Sequence, residues 1–293
     1  NPSLALNASF GKDAVMRWPA SGRVKKNRKR ITGENMLAEA NGINIHYRID
    51  GREGAPWVTF ITGIANDATM WDGQIPALAG DFRILRYDVR GHGGSEATDG
   101  DYSFEMLIGD LLGLWDALGI EKSHLVGLGL GGSTALGLAI DHPDRLIGLV
   151  PCCCRAEMTP KFAAIWPGFV ETVHAHGMEA MVEPTIQRWF SDDFKAANPD
   201  VLDSVRAQIR GTDPRGYYGC IAAFLTLDYV ARIGQVTTPT LFVSGANDHI
   251  GGPPDIMQGL AEAVPGAAHI SVPDAAHICN IQNPAGFNAV LSD

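Results

Sequence analysis

Short, largely apolar runs separated by helix-length segments constrain this chain most: Trp57–Ile61, Phe82–Tyr87, His124–Leu128, Leu146–Val150 and Thr240–Val243. Strands buried on both faces of a parallel sheet read this way, because crossover helices cover both sides. Phe104, Leu107, Ile108, Leu111, Leu112, Trp115 and Leu118 recur at helical spacing before Gly119. They predict an amphipathic helix that delivers the chain to the strand at His124. A further helix is predicted from about Gly132 to His142, stopping before Pro143.

The beginning and the middle depart from this alternation. Leu37–Ala40 and Ile43–Ile49 flank Asn41-Gly42, a hairpin signal that predicts antiparallel strands at the start of the sheet. Between Pro151 and Gln235 no central strand is evident, and Trp166, Phe169, Trp189, Phe190, Phe194 and Phe224 lie on helical-looking stretches. A helical cap inserted at about 151–235 is expected, since a second domain would need its own linker. The alternation resumes at Thr240, with a helix over Asp255–Ala263 and a strand over Ala268–Val272.

Charge divides the chain. Residues 1–35 carry eight Lys and Arg against Asp13 and Glu34, a net of +6, which leaves 15 basic and 31 acidic side chains on residues 36–293, a net of -16. The acidic body argues against nucleic-acid binding. The basic cluster Arg23–Arg30 lacks aromatic interleaving and an apolar face, so residues 1–35 are expected to be a solvated leader, flexible or appended, ahead of one domain over 36–293. With no apolar run near the roughly 20 residues of a membrane helix, a soluble, cytoplasmic protein without membrane partners is expected. Cys152, Cys153 and Cys154 are consecutive while Cys220 and Cys279 stand apart, which suits neither a disulfide framework nor a paired zinc motif. No metal and no cofactor are expected, and the thiols read as small buried hydrophobes.

His124-Leu-Val-Gly-Leu, then Gly129, then Leu130-Gly131-Gly132 opening a helix, has the layout of the Gly-x-Ser-x-Gly nucleophile elbow. Gly129 stands where the nucleophile belongs, and the Leu130 N–H at the helix start would still donate to an oxyanion. Gly127, Gly129 and Gly132 also match the dinucleotide pattern G-x-G-x-x-G. Against that reading, this strand comes after several others, and the next one ends in Pro151-Cys152 without a ribose-binding acid. Asp248 follows the strand ending at Val243 and His277 follows the strand ending at Val272. Their order after the elbow is nucleophile, acid, base, with the acid orienting an imidazole that takes and returns the proton.

With these residues the chain resembles the α/β-hydrolase family over about residues 37–291, and within it is similar to the 3-oxoadipate enol-lactonases and related carboxylic ester hydrolases. The carriers are Met70-Trp71-Asp72-Gly73-Gln74-Ile75-Pro76, Tyr87-Asp88-Val89-Arg90-Gly91-His92-Gly93-Gly94-Ser95, the elbow, Arg188-Trp189-Phe190, Gly216-Tyr217-Tyr218-Gly219-Cys220, and the segments of Asp248 and His277. The resemblance implies an α/β-hydrolase fold, a mostly parallel sheet with an N-terminal antiparallel hairpin and an inserted helical cap. It implies hydrolysis of a small ester or lactone by a Ser-Asp-His mechanism, with Gly129 in the serine's place and an oxyanion hole of the Ile64 and Leu130 N–H groups. The loop reads Thr62-Gly63-Ile64-Ala65 rather than the common His-Gly.

Without a hydroxyl at Gly129 no acyl-enzyme can form there. Three accounts follow: an inactivated, substrate-trapping form of a hydrolase; an enzyme in which His277, oriented by Asp248, acts as general base without a serine; and a ligand-binding homologue without chemistry. Trp71, Arg155, Trp189 and Tyr217 are expected in the substrate pocket, where Arg155 and Arg188 would meet a carboxylate, although a surface ion pair is the simpler expectation for both arginines; alternatively Trp71, Trp166, Trp189 and Tyr217 make the pocket mainly apolar, suited to a bulky neutral ester or lactone. Ser95 and Ser133 are expected to hydrogen-bond within the fold, and His174 and His176, two apart on a helix, cannot jointly hold a metal.

Overall fold

The computed structural model describes residues 35–292, so the basic leader expected over 1–35 lies outside the described residues but for Asn35. The chain opens with β1 (Met36–Ala40) and β2 (Ile43–Gly51), joined through Asn41 and Gly42, both at positive φ as a tight hairpin turn requires. β3 (Trp57–Ile61), the short α1 (Ile75–Leu78), β4 (Arg83–Tyr87), α2 (Phe104–Ala117), β5 (Ser123–Leu128), α3 (Leu130–Asp141) and β6 (Leu146–Cys152) follow. Next come α4 (Pro160–Ala163), α5 (Trp166–His176), α6 (Glu179–Trp189), α7 (Asp192–Ala197), α8 (Pro199–Gly211) and α9 (Pro214–Leu225). The chain then returns to the sheet with β7 (Leu241–Gly245), α10 (Pro254–Ala263) and β8 (Ala268–Val272), and ends in α11 (Cys279–Gln282) and α12 (Pro284–Ser292).

The eight strands form one sheet in the order β1-β2-β4-β3-β5-β6-β7-β8. β1 and β2 pair antiparallel, as does β2 with β4, and the other pairings are parallel. This is the α/β layout that the resemblance implies. Strand order reverses between β3 and β5, and in open sheets of this kind the crevice at such a reversal, beyond the carboxyl ends of the strands, is where ligands bind. Here those two carboxyl ends carry the Thr62–Asn66 loop and Gly129.

Two helices show how the sequence builds the support. Ser103 caps α2 by accepting from the Met106 N–H, and Gly119 at φ +68 follows its end. The buried face is Phe104, Leu107, Ile108, Leu111, Leu114 and Trp115; Leu114 turns inward, whereas Leu112 and Leu118 stay half-buried. α3 is buried on every side from Leu130 to Ile140 and begins two residues ahead of the predicted Gly132, because a helix without a wet face has no periodicity to mark its first turn.

Asp88, at the end of β4, organises the glycine-rich loop after it. Its carboxylate accepts from the Ala68 N–H at 2.6 Å and the Gly94 N–H at 2.8 Å and pairs with His46 at 2.6 Å. Ser95 Oγ donates to the Asp88 carbonyl at 2.6 Å, so this serine is held by the loop. No helix among the described residues is long and apolar enough to cross a membrane.

Candidate active site

The turn between β5 and α3 holds Gly129 at φ +57 and ψ -113, a conformation that side chains adopt only under strain. Its N–H donates to the Cys152 carbonyl at 2.9 Å, and its own carbonyl accepts from the Ser133 N–H at 3.0 Å. The neighbouring glycines are forced by space. A Cβ at Gly127 would run into the Gly131 carbonyl, one at Gly131 into the Ile61 and Thr62 carbonyls, and one at Gly132 into Cys154. Gly129 differs: a Cβ there would meet nothing closer than His277 Nε2, at 3.6 Å. Replacing Gly127 by Ala is expected to cost about 1–3 kcal/mol or more, because backbone rather than a movable side chain must give way. A urea midpoint unchanged from the parent chain would contradict this.

Asp248 and His277 are fixed from below. Asp248 is fully buried, and its oxygens accept from the N–H groups of Ile250 at 2.9 Å, Gly251 at 3.2 Å and Gly252 at 2.9 Å. Its Oδ2 lies 3.1 Å from His277 Nδ1. A side chain at Gly251 would overlap the His277 ring, and one at Gly252 the backbone of Cys154, so the Gly251-Gly252 pair lets the loop pass under the imidazole. Burial alone would raise the Asp248 carboxyl, but the His277 charge and hydrogen bond, with the backbone donors, hold it at about 2. Burial alone would likewise lower His277, yet the Asp248 carboxylate and its hydrogen bond, helped by the Cys153 thiol, lift the imidazole to about 9. The carboxylate thus favours the protonated form of the imidazole it holds.

Gly129, Leu130, Ile64 and His277 border one cavity, of about 670 Å³ with its mouth, and Asp248 stands behind His277. Leu130 is the first residue of α3, so its N–H has no acceptor within the helix and is free to serve an oxyanion beside Ile64. Of the expected pocket residues, Arg155, Trp189 and Tyr217 line the cavity. Trp71 does not: it is fully buried in the turn Ala68–Trp71, with ring centroids 4.8 Å from Phe60 and 6.0 Å from Phe287. An aromatic in a motif near the site carries no direction, and this one packs the core.

The simpler expectation for Arg155 and Arg188 also fails. Among the described residues neither forms an ion pair; Arg155 lies over the Phe162 ring at 4.3 Å and Arg188 over the Phe169 ring at 4.7 Å, both at the cavity. Ser133 Oγ donates to the Arg155 carbonyl at 2.8 Å. His92 is buried with Nδ1 3.0 Å from the Arg90 carbonyl, and His174 and His176 are exposed on α5.

Trp166, a candidate for an apolar pocket, is brought to the cavity, whereas sequence reasoning missed Asn66 and the placement of Cys153. Trp166 and Asn66 line the cavity, and Asn66 Nδ2 donates to Gln208 Oε1 at 3.0 Å, tying the Thr62–Asn66 loop to α8. Cys153 has φ +46, and its sulfur lies 3.7 Å from that of Cys279. Sulfur, carboxylate oxygen and imidazole nitrogen of Cys153, Asp248 and His277 fall within 4.8 Å of one another. That spacing could serve a metal, but the Asp248 oxygens are already engaged by three backbone donors and the imidazole, and burial pushes the Cys153 thiol up, away from the thiolate a metal takes.

The family described as alpha/beta hydrolase fold matches residues 56–284. The chain is 30% identical over 259 residues to 3-oxoadipate enol-lactonase 1 of Acinetobacter baylyi, covering 88% of this chain and 95% of that protein. Among solved structures, it is similar to the enol-lactonase from Burkholderia xenovorans, with a TM-score of 0.84 and 36% identity over 87% of this chain and 98% of that one. A hydrolase from Pseudomonas aeruginosa aligns with a TM-score of 0.84 and 31% identity, covering 88% and 97%.

Proposed function

We propose that this chain, which belongs to the α/β-hydrolase fold family, acts on carboxylic esters or lactones at the Gly129, Asp248 and His277 site, and that its turnover is impaired because a glycine stands where the attacking hydroxyl belongs. One observation carries the proposal. His277 Nε2 faces the single elbow glycine where a side chain has room, at the distance from which a serine Oγ, one bond beyond Cβ, would reach it. The names of the relatives, enol-lactonases among them, support an ester or lactone as substrate.

The chemistry follows from the groups in place. A substrate carbonyl seated over Gly129 directs its oxygen to the Ile64 and Leu130 N–H groups, which stabilise the charge of a tetrahedral intermediate. Neutral His277 takes the proton of the attacking group and passes it to the departing alkoxide, while Asp248 holds the ring in the tautomer with Nε2 free. A serine at 129 would make the attack covalent. With glycine, a second reading is favoured by the same clearance: a water in the vacated space, beside Nε2, attacks directly and no acyl-enzyme intervenes.

Hydrolysis of activated aryl esters by the unaltered chain tests this. Turnover is expected to be slow, to show no burst and to leave no acylated protein by mass spectrometry; His277→Gln should abolish it. Because only the neutral imidazole is a base, kcat/KM should climb about tenfold per pH unit and level off near His277's value of about 9 rather than near 6.5. A plateau already reached by pH 7, or activity indifferent to His277→Gln, would falsify the role given to the pair.

A further inference from the structure

We infer that Cys153 and Cys279 form a peroxide-sensitive dithiol beside the Asp248 and His277 pair, and that its oxidation to a disulfide switches the site off. The thiol chemistry is independent of the function proposed above, whereas the loss of turnover rests on it.

The two sulfurs lie 3.7 Å apart, and all five cysteines are free of disulfides. The fold brings this pair together from two directions. β6 ends at Cys152, and Cys153 turns off it at φ +46, a left-handed conformation that disfavours any residue with a side chain. Its N–H is spent on the Val243 carbonyl at 2.8 Å, which fixes the turn against β7. Cys279 opens α11, two residues beyond His277. That helix is anchored in turn, with Asn280 Nδ2 donating to the Met70 carbonyl at 2.8 Å and Gln282 Nε2 to Ser191 Oγ at 2.7 Å. Cys153 borders the cavity and Cys279 stands behind it. An oxidant that enters the cavity therefore meets Cys153 first, which leaves Cys279 as the resolving thiol.

Burial and the Cys279 contact push the Cys153 thiol up, so it needs a base to give up its proton. One is at hand, since the Cys153 sulfur, an imidazole nitrogen of His277 and a carboxylate oxygen of Asp248 lie within 4.8 Å of one another. Hydrogen peroxide, hardly larger than water, is the oxidant. The Cys153 sulfur attacks one peroxide oxygen, the O–O bond breaks, and the thiol proton, passed through neutral His277, leaves with the departing oxygen as water. Cys279 then attacks the sulfur of the sulfenic acid; the S–O bond breaks, and the departing hydroxide takes the Cys279 proton as a second water. Two electrons pass from the two thiols to peroxide, and one S–S bond remains.

The sulfurs, 3.7 Å apart, must close by about 1.7 Å to reach the roughly 2.0 Å of a bond. Neither side can give without disturbing the site. On the β6 side, the Cys152 carbonyl accepts from the Gly129 N–H at 2.9 Å, and Cys154 already fills the space beside Gly132 and Gly252, so a shift there reaches the elbow. On the α11 side, the shift pulls on His277, whose own N–H is held by the Trp189 carbonyl at 3.1 Å. A misplacement of about 1 Å at reacting groups costs about a hundredfold in rate.

Treating the unaltered protein with hydrogen peroxide, followed by peptide mapping without reduction, tests this. The chain should become lighter by two hydrogens and carry a Cys153–Cys279 cross-link. Turnover of an activated aryl ester should fall about a hundredfold in step with the cross-link and return with dithiothreitol. The His277 ring signal in the magnetic resonance spectrum of histidine-labelled protein, identified by its loss in His277→Gln, should shift as the cross-link forms. Cys279→Ala and Cys279→Ser should form no cross-link. Without a resolving thiol Cys153 passes on to the sulfinic acid, so dithiothreitol should no longer rescue either variant. No cross-link, or one joining Cys153 to a different thiol, overturns the proposal, as does inactivation of the unaltered chain that dithiothreitol does not reverse. So does a cross-link that leaves turnover and the His277 signal unchanged, since the two thiols would then serve packing alone. Should no ester ever be turned over, the hydrolase reading fails, and the cross-link together with the His277 signal still decides the switch.

Discussion

Replacing Gly129 by Ser is expected to raise kcat/KM for ester or lactone hydrolysis at least about a thousandfold, in the range that a missing triad member costs. The argument is geometric. A Cβ at 129 enters open space 3.6 Å from His277 Nε2, so the hydroxyl arrives within reach of its base without displacing a neighbour. The backbone is already in the strained elbow conformation, at φ +57. That strain, free for glycine, returns with any side chain, so the serine variant should lose about 1–3 kcal/mol of stability while it gains activity. Gly129→Ala separates the two effects, since it brings the same strain and no oxygen. It should be destabilised like the serine form and no faster than the parent. A pre-steady-state burst of alcohol release in Gly129→Ser, absent from the other two, would identify the acyl-enzyme. If the unaltered chain already turns over at an ordinary enzymatic rate, about 10 per second, and serine adds nothing, position 129 is not a vacated nucleophile site.

What could be read from residues alone follows from which forces are local. The strand at 123–128 is legible because both its faces are buried, which leaves an unbroken apolar run; the elbow is legible because close backbone contacts exclude every side chain from positions 127, 131 and 132. Asp248 and His277 are legible by order, each just past a strand end. Side-chain direction is another matter. Trp71 and Trp166 are equally good candidates for an aromatic pocket wall, yet Trp71 turns into the core against Phe60 while Trp166 lines the cavity. Helices α4–α9 assemble by packing across long separations, as in the 142-residue reach from Asn66 to Gln208, and no local spacing encodes that. A surface ion pair is the simpler expectation for Arg155 and Arg188, but both stand at the cavity, where the Phe162 and Phe169 rings carry their guanidiniums. The Cys153 contact with the acid–base pair needed β6 to end beside β7, a register visible only in three dimensions.

In the Gly129→Ser background, removing either member of the pair should undo most of what the serine gained: about a thousandfold or more for His277→Ala, and about 10³- to 10⁴-fold for Asp248→Asn. The second loss is the more informative. Asparagine keeps the volume of Asp248 but takes away the charge that lifts His277 to about 9 and the acceptor that fixes its Nδ1–H. The ring can then turn its protonated nitrogen toward Gly129, which makes it useless as a base even though it is now neutral at pH 7. A pure loss of charge would therefore lower the midpoint of the pH profile toward the ordinary histidine value and speed the reaction near neutrality, whereas loss of the tautomer slows it at every pH. We expect the lower midpoint and the lower plateau together. If His277 and Asp248 act as one unit, the double variant should be little worse than His277→Ala alone. Additive losses would mean that Asp248 serves the site through the loop it organises, by holding the Ile250, Gly251 and Gly252 N–H groups, and not through the imidazole.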